Sequence, residues 1–175
     1  MEPLAYFITF TTYGTWLHGR DPGSVDREHN VPGTPRLDPD AALFDARMRA
    51  MKQPPYELDA QRRTVVLDTI LEVCRHRTWS VHAVHVRTTH VHVVLTGRSN
   101  PEKVMSDLKA WSSRRLREVF AEGHDRDRWT QHGSTRYLND VNSVVRAVAY
   151  VLDEQGTPMA RYPNRTNDDN NEPDA

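Results

Sequence analysis

Cysteine is almost absent from this 175-residue chain: Cys74 stands alone. No internal disulfide and no cysteine-based zinc site can form from one thiol. Long apolar runs are missing too, and none approaches the roughly 20 residues a membrane helix needs. No leader pattern of charge, apolar core and small residues is visible, so a soluble, cytoplasmic protein with no membrane partner is expected. An excess of one charge is also lacking, because 23 Lys and Arg face 24 Asp and Glu for a net −1. That excludes a global basic signature, but it hides an asymmetry. The acidic end, residues 163–175, carries a net −3 and leaves residues 1–162 at +2. Local basic patches therefore matter more than the total. The apolar fraction of 37% is low enough to leave part of the chain outside a core.

The length suits one domain, residues 1–162, with a disordered acidic tail over 163–175. Residues 19–56 break the pattern: they hold six of the eleven prolines and read as an inserted loop with one short helix, Asp40 to Met51. Around it the periodicities are clear. Leu4–Thr12 predicts a strand, Asp59–Arg77 an amphipathic helix, and Trp79–Val86 with Thr89–Thr96 an antiparallel hairpin. Asn100-Pro101-Glu102 is a helix start, and that helix runs to about Glu122. Arg128–Leu138 reads as a short irregular strand pair around Gly133-Ser134-Thr135. A last helix, capped by Asn139 or Asp140, stops at Gly156. This order predicts an α+β, ferredoxin-like (RRM-like) antiparallel sheet with helices on one face and an additional C-terminal helix. The other face is left for a site.

The sequence concentrates its chemistry at Thr89-His90-Val91-His92-Val93-Val94-Leu95. Strand alternation projects His90 and His92 from one side and Val91, Val93 and Leu95 from the other. Two imidazoles on one face could share a divalent metal, Mg²⁺ or Mn²⁺, with Mn²⁺ the better match to nitrogen ligands. The simpler reading is a pair of hydrogen-bonded histidines. His82 and His85, three apart, would face opposite ways and could not both join them. They and His18, His29, His76, His124 and His132 read as structural or surface residues. In the last helix Tyr150 and Glu154 share a face, with Gln155 beside them. A tyrosine can be a nucleophile. It needs help, since about one ordinary phenol in a thousand is ionised at pH 7, a deficit of roughly 4 kcal/mol. Lys109, Trp111, Arg114 and Arg115 could grip a phosphate backbone and stack a base, or form a solvated helix face. Ser134 and Thr135 could approach a backbone closely, or mark a turn.

Together these features resemble the single-tyrosine transposases with a His-hydrophobic-His motif, above all the REP-associated tyrosine transposases and the related single-strand insertion-sequence transposases. Four segments carry the resemblance: Phe10-Thr11-Thr12-Tyr13-Gly14-Thr15-Trp16, Thr89–Val94, Leu108–Leu116, and Gly133–Leu138 leading to Tyr150-Val151-Leu152. It implies that His90 and His92 bind a divalent metal, with Glu154 or Gln155 as third ligand. It further implies that Tyr150 attacks single-stranded DNA beside a hairpin to give a 5′-phosphotyrosine and a free 3′-hydroxyl. Nucleoid association follows, as a monomer or as a homodimer with composite sites. Two departures stand out: the proline-rich insertion, and Glu154-Gln155-Gly156 where many REP-associated members carry Asn-Pro. A domesticated hairpin-DNA-binding protein, or a ferredoxin-like RNA-binding module using Trp111 and strand aromatics, are the competing expectations.

Overall fold

The computed structural model describes residues 3–15 and 41–164. Trp16, His18, His29 and most of the proline-rich stretch lie outside the described residues, as do residues 165–175 of the acidic tail. The elements follow in the order β1 (Ala5–Thr12), α1 (Ala41–Ala50), α2 (Ala60–His76), β2 (Ser80–Val86), β3 (His90–Thr96), α3 (Pro101–Phe120), β4 (Trp129–Leu138), α4 (Val141–Asp153) and β5 (Ala160–Tyr162). All strand pairs are antiparallel, and the sheet runs β4-β1-β3-β2-β5. Its first four strands with α2 and α3 make the α+β, ferredoxin-like arrangement that the element order predicts. No helix among the described residues is long and apolar enough to cross a membrane.

Local chemistry sets the boundaries. Asp59 caps α2 by accepting from the Arg62 amide, Asn100 caps α3 with Pro101 following, and Asp140 caps α4 by accepting from the Ser143 amide. Alternation along the central strand divides the molecule into two cores. Val91, Val93 and Leu95, with Tyr6, Ile8 and Phe10 of β1, are buried under α2 and α3 beside Val66, Ile70, Leu108 and Leu116. Ala5, Phe7 and Val94 face the other way and are covered by Ala147, Val151 and Leu152 of α4. The helices are thus split, with two on one face and the tyrosine-bearing helix across part of the other.

Three further details depart from the sequence expectations. Arg128–Leu138 is one strand rather than a pair; its irregularity is a shift in pairing with β1 between Phe10 and Thr12. Strand β5 has no signature in the sequence, because three residues, Ala160-Arg161-Tyr162, carry no periodicity. The end of the predicted insertion is also built into the core. Its last residue, Tyr56, is buried there with Leu58 just after it, and the Tyr56 hydroxyl donates to Glu122, which also accepts from Arg62 and from the buried Arg128. Burial, and then the Glu122 carboxylate, push the Tyr56 phenol up to about 12.

Gly133 explains how closely β4 lies on β1. A Cβ there would sit 2.6 Å from the Thr9 carbonyl oxygen and 2.5 Å from Met105 Sδ. A methyl group therefore forces the strand off its neighbour. Gly133→Ala is expected to cost about 1–3 kcal/mol, read as a lower urea midpoint at unchanged m-value; an unchanged midpoint would mean that the close approach is not a constraint.

Candidate active site

The face that α4 leaves partly open carries a row of side chains across the sheet. Register aligns Ser134, Thr9, His92, His85 and Arg161 on neighbouring strands. His90 lies on the same face one step further along β3, opposite Thr11. The two imidazoles meet edge to face with ring centroids 5.0 Å apart. His90 Nδ1 lies 3.3 Å from Thr89 Oγ1, and His92 Nδ1 lies 2.8 Å from Thr9 Oγ1. With Nδ1–H donating to Thr9, the lone pair of His92 falls on Nε2. That atom is buried and makes no hydrogen bond of good geometry, although the Gln155 side chain is near enough to act on the ring. Buried polar atoms are nearly always satisfied, so an orphan of this kind calls for an explanation. The hydrogen bond from one ring nitrogen with the other left bare is the pattern of a metal-ligating histidine.

Electrostatics keep these rings neutral. Burial, reinforced by the charge of His90, holds His92 down at about 4, with the Gln155 side chain opposing the shift. His90 is lowered by burial and then by the charges of Arg87 and His85. Neutral imidazoles are the form that binds a metal.

Tyr150 stands at the edge of this pair. Its ring lies 5.9 Å from the His92 ring and 5.8 Å from Phe7, both edge to face, and the residue is 41% exposed. The apolar side of α4 packs on Phe7, Ala83 and Val94 and so delivers the phenol to the histidines. Of the two third-ligand candidates, Glu154 is the exposed C-cap residue, and its backbone amide donates to the Tyr150 carbonyl. Gln155 is half-buried; its Nε2 donates to the same carbonyl, and its side chain is the one that acts on His92. Among the described residues no three His, Cys, Asp or Glu side chains cluster as metal ligands. Two imidazoles and an amide oxygen are what the face offers.

The other residues singled out from the sequence are dispersed. Ser134 shares the open face beside Thr9. Thr135 pairs with Ile8 on the opposite side, where its hydroxyl donates to Glu102 of α3. Lys109 donates to the carbonyls of Thr130 and His132, tying α3 to β4, and its burial brings the ammonium down to about 8. Trp111 lies beside His76, with the Arg114 guanidinium over its ring, and Arg115 pairs with Glu72. A shallow cavity of about 280 Å³ lined by Glu72, Arg75, His76 and Trp111 marks that groove. Sheet thickness separates it from the histidine pair.

His85 overturns one expectation. A bulge between Val81 and Ala83 resets the alternation of β2, so His82 bonds Thr96 Oγ1 at 2.8 Å while His85 sits in the row beside His92. His82 and His85 therefore do not face opposite ways. A bulge leaves no mark in a single sequence beyond an imperfect period. His85 is still no ligand: Nδ1 lies 2.9 Å from the Val151 carbonyl, and Nε2 accepts from the Met159 amide at 3.1 Å.

The sequence pattern of the family described as "Transposase IS200 like" matches residues 53–147, more than half of the chain. The chain belongs to the IS200-like transposase family. The match includes His90 and His92 and stops just before Tyr150. A REP-associated tyrosine transposase solved bound to a REP hairpin is 12% identical at a TM-score of 0.46, over 87% of this chain and 66% of that one. A candidate transposase from Deinococcus radiodurans R1 is 13% identical at a TM-score of 0.45, over 86% of this chain and 90% of that one. The chain thus spans about two thirds of the hairpin-bound protein. No curated protein matches the sequence.

The depressed His92 pKa fixes a pH dependence. Below pH 6.5 the unfolded chain takes up a proton on this ring that the folded chain refuses until about pH 4. The associated stability, about 3 kcal/mol, is present above pH 6.5 and drains away as pH falls toward 4. Ring titration of the metal-free protein by NMR should find His92 neutral at pH 5. Denaturant midpoints should fall across that window, and less steeply in His92→Gln.

Proposed function

We propose that this transposase is a metal-dependent endonuclease and strand transferase that cleaves single-stranded DNA beside hairpins through a 5′-phosphotyrosine. The observation that supports this most directly is Tyr150 packed against His92, whose buried Nε2 makes no hydrogen bond of good geometry and has the Gln155 side chain beside it. His90, His92 and the Gln155 side-chain oxygen would hold a divalent cation, Mn²⁺ or Mg²⁺, with Glu154 too exposed to be preferred. When bound, such an ion supplies Lewis-acid charge to a phosphate and favours the phenolate form of a nearby tyrosine.

The chain's own groups do the rest. Tyr150 Oη attacks the phosphorus of a phosphodiester, forming the Oη–P bond as the P–O3′ bond breaks. The phenolic proton leaves, and the departing oxygen is protonated to a 3′-hydroxyl. The ester retains the bond energy, so a second 3′-hydroxyl can attack the same phosphorus and restore the tyrosine. The exposed position of Tyr150 lets a strand reach it, while packing against Phe7 limits its swing. Ser134, on the open face, can meet the same strand. Lys109, Trp111, Arg114 and Arg115 lie in the helix layer behind the sheet, so any DNA they hold is a different segment from the one cut.

Labelled oligonucleotides that carry hairpins from repeats flanking the gene test this reading. Incubation with Mn²⁺ or Mg²⁺ should give a shifted band on a denaturing gel, lost in Tyr150→Phe and in His90→Ala. Binding without an adduct under either metal favours the domesticated DNA-binding protein, and preference for RNA without metal favours the RNA-binding module.

A further inference from the structure

Arg87 belongs to none of the roles above, yet it bridges the two segments that carry the site. It follows β2 directly, and its amide donates to the His90 carbonyl at 2.9 Å across the hairpin turn. Val84 and Val86 are buried under the helices, and His85 between them is on the open face. Continued alternation sends the Arg87 side chain to that face too. There Nη1 donates to the Thr157 carbonyl at 3.0 Å, two residues beyond Gln155. The other terminal nitrogen, Nη2, lies 4.0 Å from where a Cβ on Gly156 would be. Gly156 has φ +73°, a left-handed conformation that glycine adopts freely, and its missing side chain leaves the space beside Nη2 clear.

Arg87 is one of several arginines among the described residues that stand outside an ion pair, and it is the one beside His90. Arg62, Arg77, Arg115 and Arg128 each pair with an Asp or Glu. Arg87 is in none of the ion pairs among the described residues; its charge acts on the imidazoles of His90 and His85 instead, lowering both. A guanidinium whose charge acts on ligands suited to a dication is repulsive to that ion unless an anion lies among them. The guanidinium fork matches the oxygens of a phosphate.

We propose that Arg87 binds the DNA strand that is cut, its Nη2 donating to a non-bridging oxygen of the scissile phosphate or of its immediate neighbour. The bond to Thr157 holds the fork in place, and Gly156 gives the phosphate its approach. The phosphate is thereby pinned between the hairpin that carries His90 and the turn that follows Tyr150. This rests on the strand-transferase reading, and the test separates the two.

The test uses the full chain bearing Tyr150→Phe, so that binding is read without cleavage, and a hairpin oligonucleotide with a single-stranded flank from the repeats near the gene. In fluorescence anisotropy, adding Arg87→Gln should weaken binding about tenfold, the worth of one charge-assisted hydrogen bond. It should also lower the salt slope by about 0.7, as expected for one phosphate contact on a single strand. Methylphosphonate placed at each flank position in turn should abolish the difference between the two proteins at one or two adjacent positions only. Mn²⁺ binding by calorimetry should be as tight in Arg87→Gln or tighter, whereas an arginine that merely braces the 155–157 turn would weaken it. Equal DNA affinity with and without Arg87→Gln overturns the proposal and leaves the strand-transferase reading standing. Failure of the parent protein to bind any single-stranded probe overturns both.

Discussion

Everything on the open face depends on the two-residue period of β3. Hydrogen bonded on both sides, by β1 and by β2, that strand cannot rotate or slip without exposing Val91, Val93 and Leu95, all fully buried beneath α2 and α3. The apolar half therefore fixes the polar half. His90 and His92 keep their positions because moving them would pull three side chains out of a close-packed core. Thr9, aligned by the same register, occupies Nδ1 of His92 and so leaves Nε2 as the nitrogen turned to the site.

The second dependence is the partial cover provided by α4. Its apolar stripe seats on Phe7, Ala83 and Val94 and ends where the histidines begin, so one helix both shields the imidazoles and carries the phenol beside them. Burial keeps the rings uncharged, and the shortness of the cover keeps Tyr150 accessible. The two demands meet because Val151 and Leu152 are buried while Tyr150, the preceding residue, is not.

Much of this was legible in the sequence because it rests on short-range rules. The caps at Asp59, Asn100 and Asp140, the β2–β3 hairpin and the shared face of His90 and His92 all follow from residue types at fixed offsets. What escaped prediction depends on partners distant in the chain. The bulge that brings His85 round is a mismatch between two strands, not a property of either one. Strand β5 exists because the edge of β2 accepts it. The basic helix, which the sequence offered as either a phosphate-gripping or a solvated face, has Lys109 bonded to β4 carbonyls and Arg115 to Glu72, contacts no local pattern announces. Nothing local marks Arg87, whose partner Thr157 lies seventy residues on, beyond α4.

His85 gives the tyrosine helix something apolar packing does not. Valines and alanines on a sheet allow a helix to creep by fractions of an ångström at little cost. The ring of His85 does not, because it is wired at both ends, to Val151 within α4 and to Met159 beyond it. That wiring works in one tautomer only, with the proton on Nδ1, since the Met159 amide needs a bare Nε2 to receive it. The helix is thus keyed to the sheet by the placement of a single proton, and the reach of its tyrosine is set with the precision of a hydrogen bond.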